Sequence, residues 1–199
     1  MRFGKNLKIS AVIFGLGVFF VLSFSYINKS ISGSIPLEIK TKSETVPLNQ
    51  VQVIGNRLGN KAPDFTVITT EAKAVRLGDF AGQKKPVVVY FMATWCEWCK
   101  KDYEVLSKVY KDYEDKVAIL SISLDLSEDI FKLKDYKKKY PALEKMILAQ
   151  GQEKILIDYS VTKTTTKYAL DSNGTIMYYT IGTFSEEQWR TLLDALEKS

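Results

Sequence analysis

Two runs of apolar residues dominate the pattern of the chain. Residues 87–92 read VVVYFM, and residues 117–122 form a second run of strand-forming side chains. Continuous apolar runs of this length are typical of parallel strands that are buried on both faces. Between the two runs, apolar residues recur at the spacing of one helix face: Tyr103, Leu106, Tyr110 and Tyr113. The pattern therefore predicts a strand–helix–strand unit.

Further strands are indicated on both sides of this unit. The Asn-Gly pair at positions 173–174 separates strand-like residues 167–170 from residues 175–179, which predicts a hairpin. A shorter hairpin is expected over residues 64–69 and 74–77. Both hairpins imply antiparallel pairing next to the parallel unit.

Two more helices are predicted from their end signals. One is expected to begin at Ser127 as its N-cap and to end before Pro141. The last begins with a capping box formed by Ser185 and Gln188 and carries an apolar stripe: Trp189, Leu192, Leu193 and Leu196. The predicted order is β-β-β-α-β-α-β-β-α, which indicates an α/β sandwich with a mixed sheet.

The N-terminal part of the chain has a different character. Residues 9–28 form an uncharged stretch of twenty residues, long enough as a helix to span roughly a 30 Å hydrocarbon layer. Basic residues lie mainly on its N-terminal side: Arg2, Lys5 and Lys8. The positive-inside rule then places the N-terminus in the cytoplasm and the rest of the chain outside it. A cleaved signal peptide is the alternative, although no A-x-A-like site follows the stretch.

These features divide the chain into four parts. Residues 1–8 are expected to be a cytoplasmic N-terminus and residues 9–28 a single transmembrane anchor. Residues 29–57 carry Ser, Pro, Lys, Glu and Asn with weak periodicity, which indicates a linker, with one short strand expected near residues 51–54. Residues 58–199 form the folded domain.

Composition narrows the possible chemistry. The chain of 199 residues contains two cysteines and no histidine. Without an imidazole it cannot build a Ser-His-Asp or Cys-His nucleophile, or a metal site with His ligands. The formal charge of +5 comes from 28 basic and 23 acidic side chains spread along the sequence, which favours a mixed solvated surface over a nucleic-acid interface. We expect no bound metal and no nucleic-acid partner.

Both cysteines lie in one motif, Cys96-Glu97-Trp98-Cys99, directly after the first apolar run. A C-x-x-C pair that opens a helix after a central strand indicates a redox-active dithiol, because one helical turn brings the two sulfurs within disulfide distance. Cys96 would lie at the helix N-terminus, where unpaired N–H groups and the helix dipole stabilise a thiolate. Cys96 is therefore predicted to attack and Cys99 to resolve the mixed disulfide.

Residues 58–199 resemble the thioredoxin-like family, and within it the membrane-anchored, extracytoplasmic oxidoreductases of the ResA and TlpA kind. Three segments carry the resemblance: residues 59–65 (GNKAPDF), residues 93–101 (ATWCEWCKK) and residues 159–174. The resemblance implies a three-layer α/β sandwich with a mixed central sheet. It also implies a thiol–disulfide oxidoreductase that exchanges or reduces disulfides in partner proteins, among them apocytochromes c, with no cofactor besides the Cys96–Cys99 disulfide. Working outside the cytoplasm, such a protein needs a membrane electron donor or acceptor.

The chain departs from the family pattern near the motif. Thr165 stands where the family has a cis-proline facing the disulfide, in the sequence Thr164-Thr165-Thr166. We expect either a trans peptide bond there or a retained strained one. The loop is then either less preorganised for a partner or held in the same shape by surrounding packing. Tyr90 replaces a buried Asp or Asn that often serves as proton acceptor near the resolving Cys.

Five residues around the cysteines are candidates for binding the partner: Trp95, Glu97, Trp98, Thr164 and Thr165. Trp98 replaces a common proline in a helical turn that must stay open to a partner, so contact with the partner is favoured for it. Structural support is favoured for Trp95. Glu97 either raises the thiol pKa of Cys96 by its charge or is a solvated first-turn acid. Asp102 is interpreted as an ordinary first-turn acid, with a proton relay as the alternative.

A peroxidase and a soft-metal protein are the two alternatives to disulfide exchange. A peroxiredoxin-like peroxidase needs a Pro and a Thr or Ser ahead of its reactive cysteine, and ahead of Cys96 these places hold Val89 and Ala93. A soft-metal protein could bind copper through the dithiol, but two thiolates without His or a nearby Met leave the site incomplete. Disulfide exchange is the function that the sequence favours.

Overall fold

A computed structural model of the chain describes residues 52–199 and contains seven strands in that range. Two of them form a separate antiparallel pair, β1 (Thr66–Ile68) and β2 (Ala74–Arg76). The other five form one sheet: β3 (Val87–Met92), β4 (Ala118–Ser123), β5 (Ile147–Ala149), β6 (Thr166–Leu170) and β7 (Ile176–Ile181). The strand order in this sheet is β5-β4-β3-β6-β7.

The central sheet is mixed, as predicted. Strand β3 pairs in parallel with β4, and β4 with β5, whereas β3 and β6 pair antiparallel, as do β6 and β7. In this register Phe91 lies opposite both Ile122 and Thr166. The segment that follows β3 and the segment that precedes β6 therefore meet at the same edge of the sheet.

Within residues 52–199, five α-helices flank the strands: α1 (Leu77–Gly82), α2 (Glu97–Tyr110), α3 (Ile130–Lys139), α4 (Glu153–Asp158) and α5 (Glu186–Glu197). The predicted apolar face of α2 is buried, and the predicted capping box of α5 is present, with the Ser185 side chain accepting from the Gln188 N–H. Phe184 packs edge-on against Trp189 with ring centroids 5.1 Å apart, which fixes the entry of the chain into α5.

Two apolar clusters cover the two faces of the sheet, because alternate residues of each strand point to opposite sides. One cluster joins Tyr90 and Met92 to buried residues of α2, α3 and α5. The other joins Val89 and Phe91 to α1, α4 and Val67 of the small hairpin. The architecture is thus a three-layer α/β sandwich.

Several predicted boundaries are corrected by the structure. The sequence pattern missed α1, β5 and α4, since each has only three to six residues. Helix α3 begins at Ile130 with Asp129 as its N-cap, because the Asp129 carboxylate accepts from the Lys132 N–H at 2.8 Å. Ser127, the predicted cap, instead hydrogen-bonds Asp125 within the preceding turn.

The segment ahead of residue 58 is tied to the domain where the structure describes it. Ile54 forms an isolated bridge with Lys61, so the expected short strand is reduced to a single bridge there. The Asn56 side chain donates to the Ser160 hydroxyl at 2.8 Å. Within residues 52–199 no helix is long and apolar enough to cross a membrane, and the anchor predicted at residues 9–28 lies outside the described residues.

Candidate active site

The two cysteines lie where the central strand passes into helix α2. Cys96 is the N-cap of α2, and Cys99 follows one turn later. Their sulfurs form a disulfide, and their Cα atoms are 5.3 Å apart. The Cys96 sulfur accepts a hydrogen bond from the Cys99 N–H at 3.0 Å. Cys96 is the cysteine nearer to solvent, because it is 5% exposed whereas Cys99 is fully buried.

A buried carboxylate supports the loop that carries Cys96. Glu128, in the turn between β4 and α3, accepts the Thr94 N–H at 3.0 Å and also the Thr94 hydroxyl. The Ser123 hydroxyl donates to the same carboxylate at 2.6 Å, and Lys132 forms an ion pair with it at 3.2 Å. Because Thr94 lies two residues before Cys96, these contacts fix the start of the redox loop to the end of β4.

The predicted partner-binding residues of the motif are exposed. Trp98 is 63% exposed and is flanked by the Lys101 ammonium, 4.7 Å from its ring centroid. Trp95 is 60% exposed, and its indole N–H donates to the Asp125 carboxylate at 2.8 Å, so it is both held and accessible. Glu97 is exposed as the first residue of α2. These three exposed side chains all lie within two positions of Cys96 in the sequence.

The Thr164–Thr165 loop immediately precedes β6, at the sheet edge where the redox loop begins. No cis peptide bond occurs within residues 52–199, and Thr165 has a φ of +61°. This left-handed conformation is strained for a β-branched residue. The Thr165 side chain is buried and its hydroxyl donates to the Thr164 carbonyl at 2.5 Å. The surrounding packing therefore holds a defined loop shape without a proline.

The interpretation of Asp102 as an ordinary first-turn acid is wrong. Asp102 lies in the second turn of α2 and is buried, with four donors directed at its two carboxylate oxygens. The donors are the Tyr90 hydroxyl at 3.1 Å, the Phe184 N–H at 2.9 Å, the Trp189 indole N–H at 2.9 Å and the Lys167 ammonium at 2.6 Å. This is the arrangement of an ionised carboxylate, which only accepts hydrogen bonds.

Tyr90 replaces the acid that the family often has on its central strand, yet a carboxylate is still present. Tyr90 donates to Asp102, so the acidic group reaches the same region from the helix instead of the strand. Burial raises the pKa of Tyr90 well above its ordinary value, and the neighbouring Tyr103 and Asp102 add to that shift. Tyr90 therefore remains a neutral hydrogen-bond donor.

Lys167 is the least expected residue of this region. It lies in β6, is fully buried, and pairs across the sheet with Tyr90. Its ammonium lies over three aromatic rings, 4.6 Å from the Tyr90 centroid, 4.9 Å from Phe184 and 5.4 Å from Trp189. Burial lowers the pKa of Lys167, and the adjacent Asp102 carboxylate opposes that shift.

Sequence reasoning missed three functional-site residues, although two of them carry a signal. Asp102 lies three residues after Cys99, on the same helix face, and Lys167 interrupts the apolar strand sequence TKYAL. A charge in such a strand must have a buried partner, since an unpaired one is too costly. Glu128 gives no comparable signal, because it lies in a polar turn.

Known proteins that are similar in sequence to this chain include thiol-disulfide oxidoreductases, in agreement with the disulfide at the start of α2. The model of a family described as AhpC/TSA matches residues 58–179, more than half of the chain. The chain is 31% identical to the thiol-disulfide oxidoreductase ResA of Bacillus cereus over 132 residues, which cover 66% of this chain and 74% of that protein. It is 29% identical to the thioredoxin-like protein YneN of Bacillus subtilis over 142 residues, covering 71% and 81% of the two chains.

A solved structure supports the same fold. The thioredoxin domain of a thiol-disulfide oxidoreductase from Bacteroides vulgatus matches with a TM-score of 0.60 at 23% identity, and the match covers 70% of this chain and 98% of that one. Within residues 52–199 there is no group of three or more Cys, Asp or Glu side chains placed to hold a metal ion. The relatives favour disulfide exchange over the peroxidase and copper alternatives.

Proposed function

The chain belongs to the AhpC/TSA family of thioredoxin-like proteins and is a thiol–disulfide oxidoreductase, and from this premise we propose how it works and where. In the proposed mechanism Cys96 attacks disulfides of extracytoplasmic proteins and Cys99 resolves the mixed disulfide. The observation that carries this assignment is the position of Cys96 as the N-cap of α2, with its sulfur facing the helix N–H groups.

The reaction moves two electrons through sulfur alone. In the reduced protein the Cys96 thiolate attacks one sulfur of the partner disulfide, forming a mixed disulfide, and the other partner sulfur leaves as a thiolate and takes a proton. The Cys99 thiolate then attacks the Cys96 sulfur, which closes the Cys96–Cys99 disulfide and releases the second partner thiol. The same steps in reverse oxidise a partner dithiol.

Two features support different roles for the two cysteines. A sulfur at a helix N-terminus is stabilised as a thiolate, so Cys96 is the better nucleophile. Cys99 is fully buried one turn inside the helix, where a partner cannot reach it but the Cys96 sulfur can. The exposed rings of Trp95 and Trp98 offer the partner an apolar contact beside Cys96.

A trapping experiment tests these roles. The full-length Cys99→Ser variant, incubated with a protein disulfide, is expected to accumulate a mixed disulfide through Cys96. The matched Cys96→Ser variant is expected to accumulate none. The opposite pattern, detected by non-reducing electrophoresis and mass spectrometry, would reverse the assignment.

The proposed location follows from the charge pattern at the N-terminus. We propose a single membrane anchor at residues 9–28, with residues 1–8 in the cytoplasm and residues 58–199 outside it. Protease added to spheroplasts is then expected to digest the domain, and full protection would disprove this orientation. Permeabilised cells provide the control that the protease can cut the domain.

The proposed partners are proteins with exposed disulfides or dithiols. Apocytochrome c, before haem attachment, is the partner class that the resemblance to the ResA and TlpA group implies. A membrane protein that donates or accepts electrons then returns the Cys96–Cys99 pair to its starting state. In a strain lacking this chain, we expect the cysteines of apocytochrome c to change their redox state, which thiol alkylation measures.

A further inference from the structure

The carbonyl group of Thr165 connects the Thr164–Thr165 loop to residues outside it, in addition to the local hydrogen bond from the Thr166 hydroxyl to the Lys163 carbonyl at 2.8 Å. The Thr165 carbonyl accepts from the Lys167 ammonium at 3.3 Å and from the Gly182 N–H at 3.3 Å. Lys167 also donates to the Gly182 carbonyl at 2.5 Å. The ammonium thus joins the residue before β6 to the residue after β7, and it fixes the backbone carbonyl of Thr165.

The same ammonium reaches the redox helix. Its third acceptor is the Asp102 carboxylate at 2.6 Å, and Asp102 lies three residues beyond Cys99 in α2. All three N–H donors of Lys167 therefore have acceptors: one in α2, one in the loop before β6 and one directly after β7. Through this single side chain, the position of the Thr165 loop is tied to the position of the helix that carries the disulfide.

Apolar side chains in place of both Lys167 and Asp102 would fill this region without the cost of burying two charges. Lys167 is surrounded by the rings of Tyr90, Phe184 and Trp189, and a buried ion pair adds little stability over well-packed apolar residues. The ammonium adds directional hydrogen bonds, and these fix the positions of the three groups that accept them. A proline at position 165 would fix the loop through its ring, with φ near −65°, whereas Thr165 has a φ of +61° and no ring.

We propose that Lys167 is a positioning residue for disulfide exchange, which fixes the Thr164–Thr165 loop relative to α2 in place of a proline. This inference rests on the proposed function, because the loop matters only if an extended partner segment lies along it next to Cys96. Lys167 itself touches neither the sulfurs nor the partner. Its effect on the reaction is preorganisation of the surface that receives the partner.

The test compares two substrates on the full-length protein. One is an extended peptide with an internal disulfide, and the other is 2-hydroxyethyl disulfide, which has no backbone to lie along the loop. In the charge-neutral variant Lys167→Met/Asp102→Asn, exchange with the peptide is expected to slow by about tenfold or more. Exchange with 2-hydroxyethyl disulfide and the reduction potential of the Cys96–Cys99 pair are expected to stay within about twofold and about 10 mV of wild type.

A second lysine–carboxylate pair provides the matched control. Lys137 binds Glu71 at 2.8 Å and the Met146 carbonyl at 2.9 Å, at the end of the parallel strands away from the cysteines. The variant Lys137→Met/Glu71→Gln is expected to exchange both substrates at the wild-type rate.

The outcomes separate the inference from the function on which it rests. If wild-type protein fails to exchange with the peptide disulfide, the proposed function is wrong and the inference falls with it. If wild type is active and Lys167→Met/Asp102→Asn slows both substrates equally, or neither, the inference alone is wrong.

Discussion

Two buried carboxylates support the active site from opposite sides, and they are balanced in different ways. Asp102 lies in the redox helix and is paired with Lys167, whose side chain is fully buried. Glu128 lies in the turn after β4 and is paired with Lys132, whose side chain is 51% exposed. Both carboxylates have no exposed surface, so the difference between them lies in the lysine.

This difference shows how each charge is tolerated in the core. The Asp102–Lys167 pair is closed off from solvent, so each charge depends on the other and on fixed neighbours. Glu128 keeps its hydrogen bonds from Thr94 and Ser123 whatever Lys132 does, and the Lys132 ammonium is solvated. Asp102 and Lys167 thus form a closed ion pair inside the core. Glu128 is held by neutral donors, and its ion pair with Lys132 at the surface is not needed to hold it.

The largest effect is expected when Lys167 and Lys132 are each replaced by methionine in two separate variants and the variants are compared. Lys167→Met leaves the Asp102 charge buried without its counterion and is expected to lower the free energy of unfolding by about 3 kcal/mol. Lys132→Met removes a half-exposed ion pair and is expected to cost about 0–1 kcal/mol. Urea denaturation of both variants, with the slope checked for constancy, measures the difference.

A double variant sharpens this first comparison. Lys167→Met/Asp102→Asn removes both charges of the closed pair, so it is expected to recover part of the stability that Lys167→Met loses. Equal losses in Lys167→Met and Lys132→Met would mean that the closed pair behaves like a surface ion pair. The distinction between the two carboxylates would then have no energetic basis.

A smaller effect is expected from neutralising the anchor of the redox loop. In the wild-type protein both carboxylate oxygens of Glu128 accept hydrogen bonds from Thr94 and Ser123. In Glu128→Gln one of these oxygens becomes an NH2 group, which cannot accept, so a hydrogen bond with Thr94 or Ser123 is lost. We expect a decrease of about 1–2 kcal/mol in the free energy of unfolding, together with slower exchange because Thr94 leads into Cys96. Denaturation and the rate of peptide disulfide exchange measure both.

Glu104→Gln is the matched control for this prediction. Glu104 lies on the exposed face of α2, so its change of charge alone is expected to leave stability within about 0.5 kcal/mol of wild type. If Glu128→Gln behaved like Glu104→Gln, the contacts of Glu128 with the redox loop would contribute nothing to its position.

The sequence predicted the disulfide site better than the residues beneath it, for a physical reason. The apolar run of β3, the C-x-x-C spacing and the capping box of α5 are local signals, and the structure confirms all three elements. Asp102 and Lys167 are 65 positions apart, and only the antiparallel pairing of β3 with β6 brings them together. Short elements such as β5 leave too few residues for a periodic pattern.

The smallest expected effect concerns Asp125, a partly exposed carboxylate in the same turn as Glu128. Hydrogen bonds from the Ser127 hydroxyl, the Trp95 indole and the Ser127 N–H hold the pKa of Asp125 below its ordinary value of 3.8. A depressed pKa in the folded state means that the stabilisation is fully present above pH 3.8 and is lost as the pH falls through the lower, folded-state pKa. Acid should therefore release the Trp95 ring as Asp125 takes up a proton.

Tryptophan fluorescence measured against pH tests this release. Wild-type protein is expected to show a small step below pH 3.8 as protonation of Asp125 weakens its hydrogen bond with the Trp95 indole. Asp125→Asn cannot titrate at this position and is expected to lack that step, while signals from Trp98 and Trp189 remain common to both proteins. An identical acid step in both proteins would place the titrating group elsewhere. A step present only in wild type would assign the acid response of the Trp95 ring to Asp125, whose hydrogen bond to the indole is what protonation weakens.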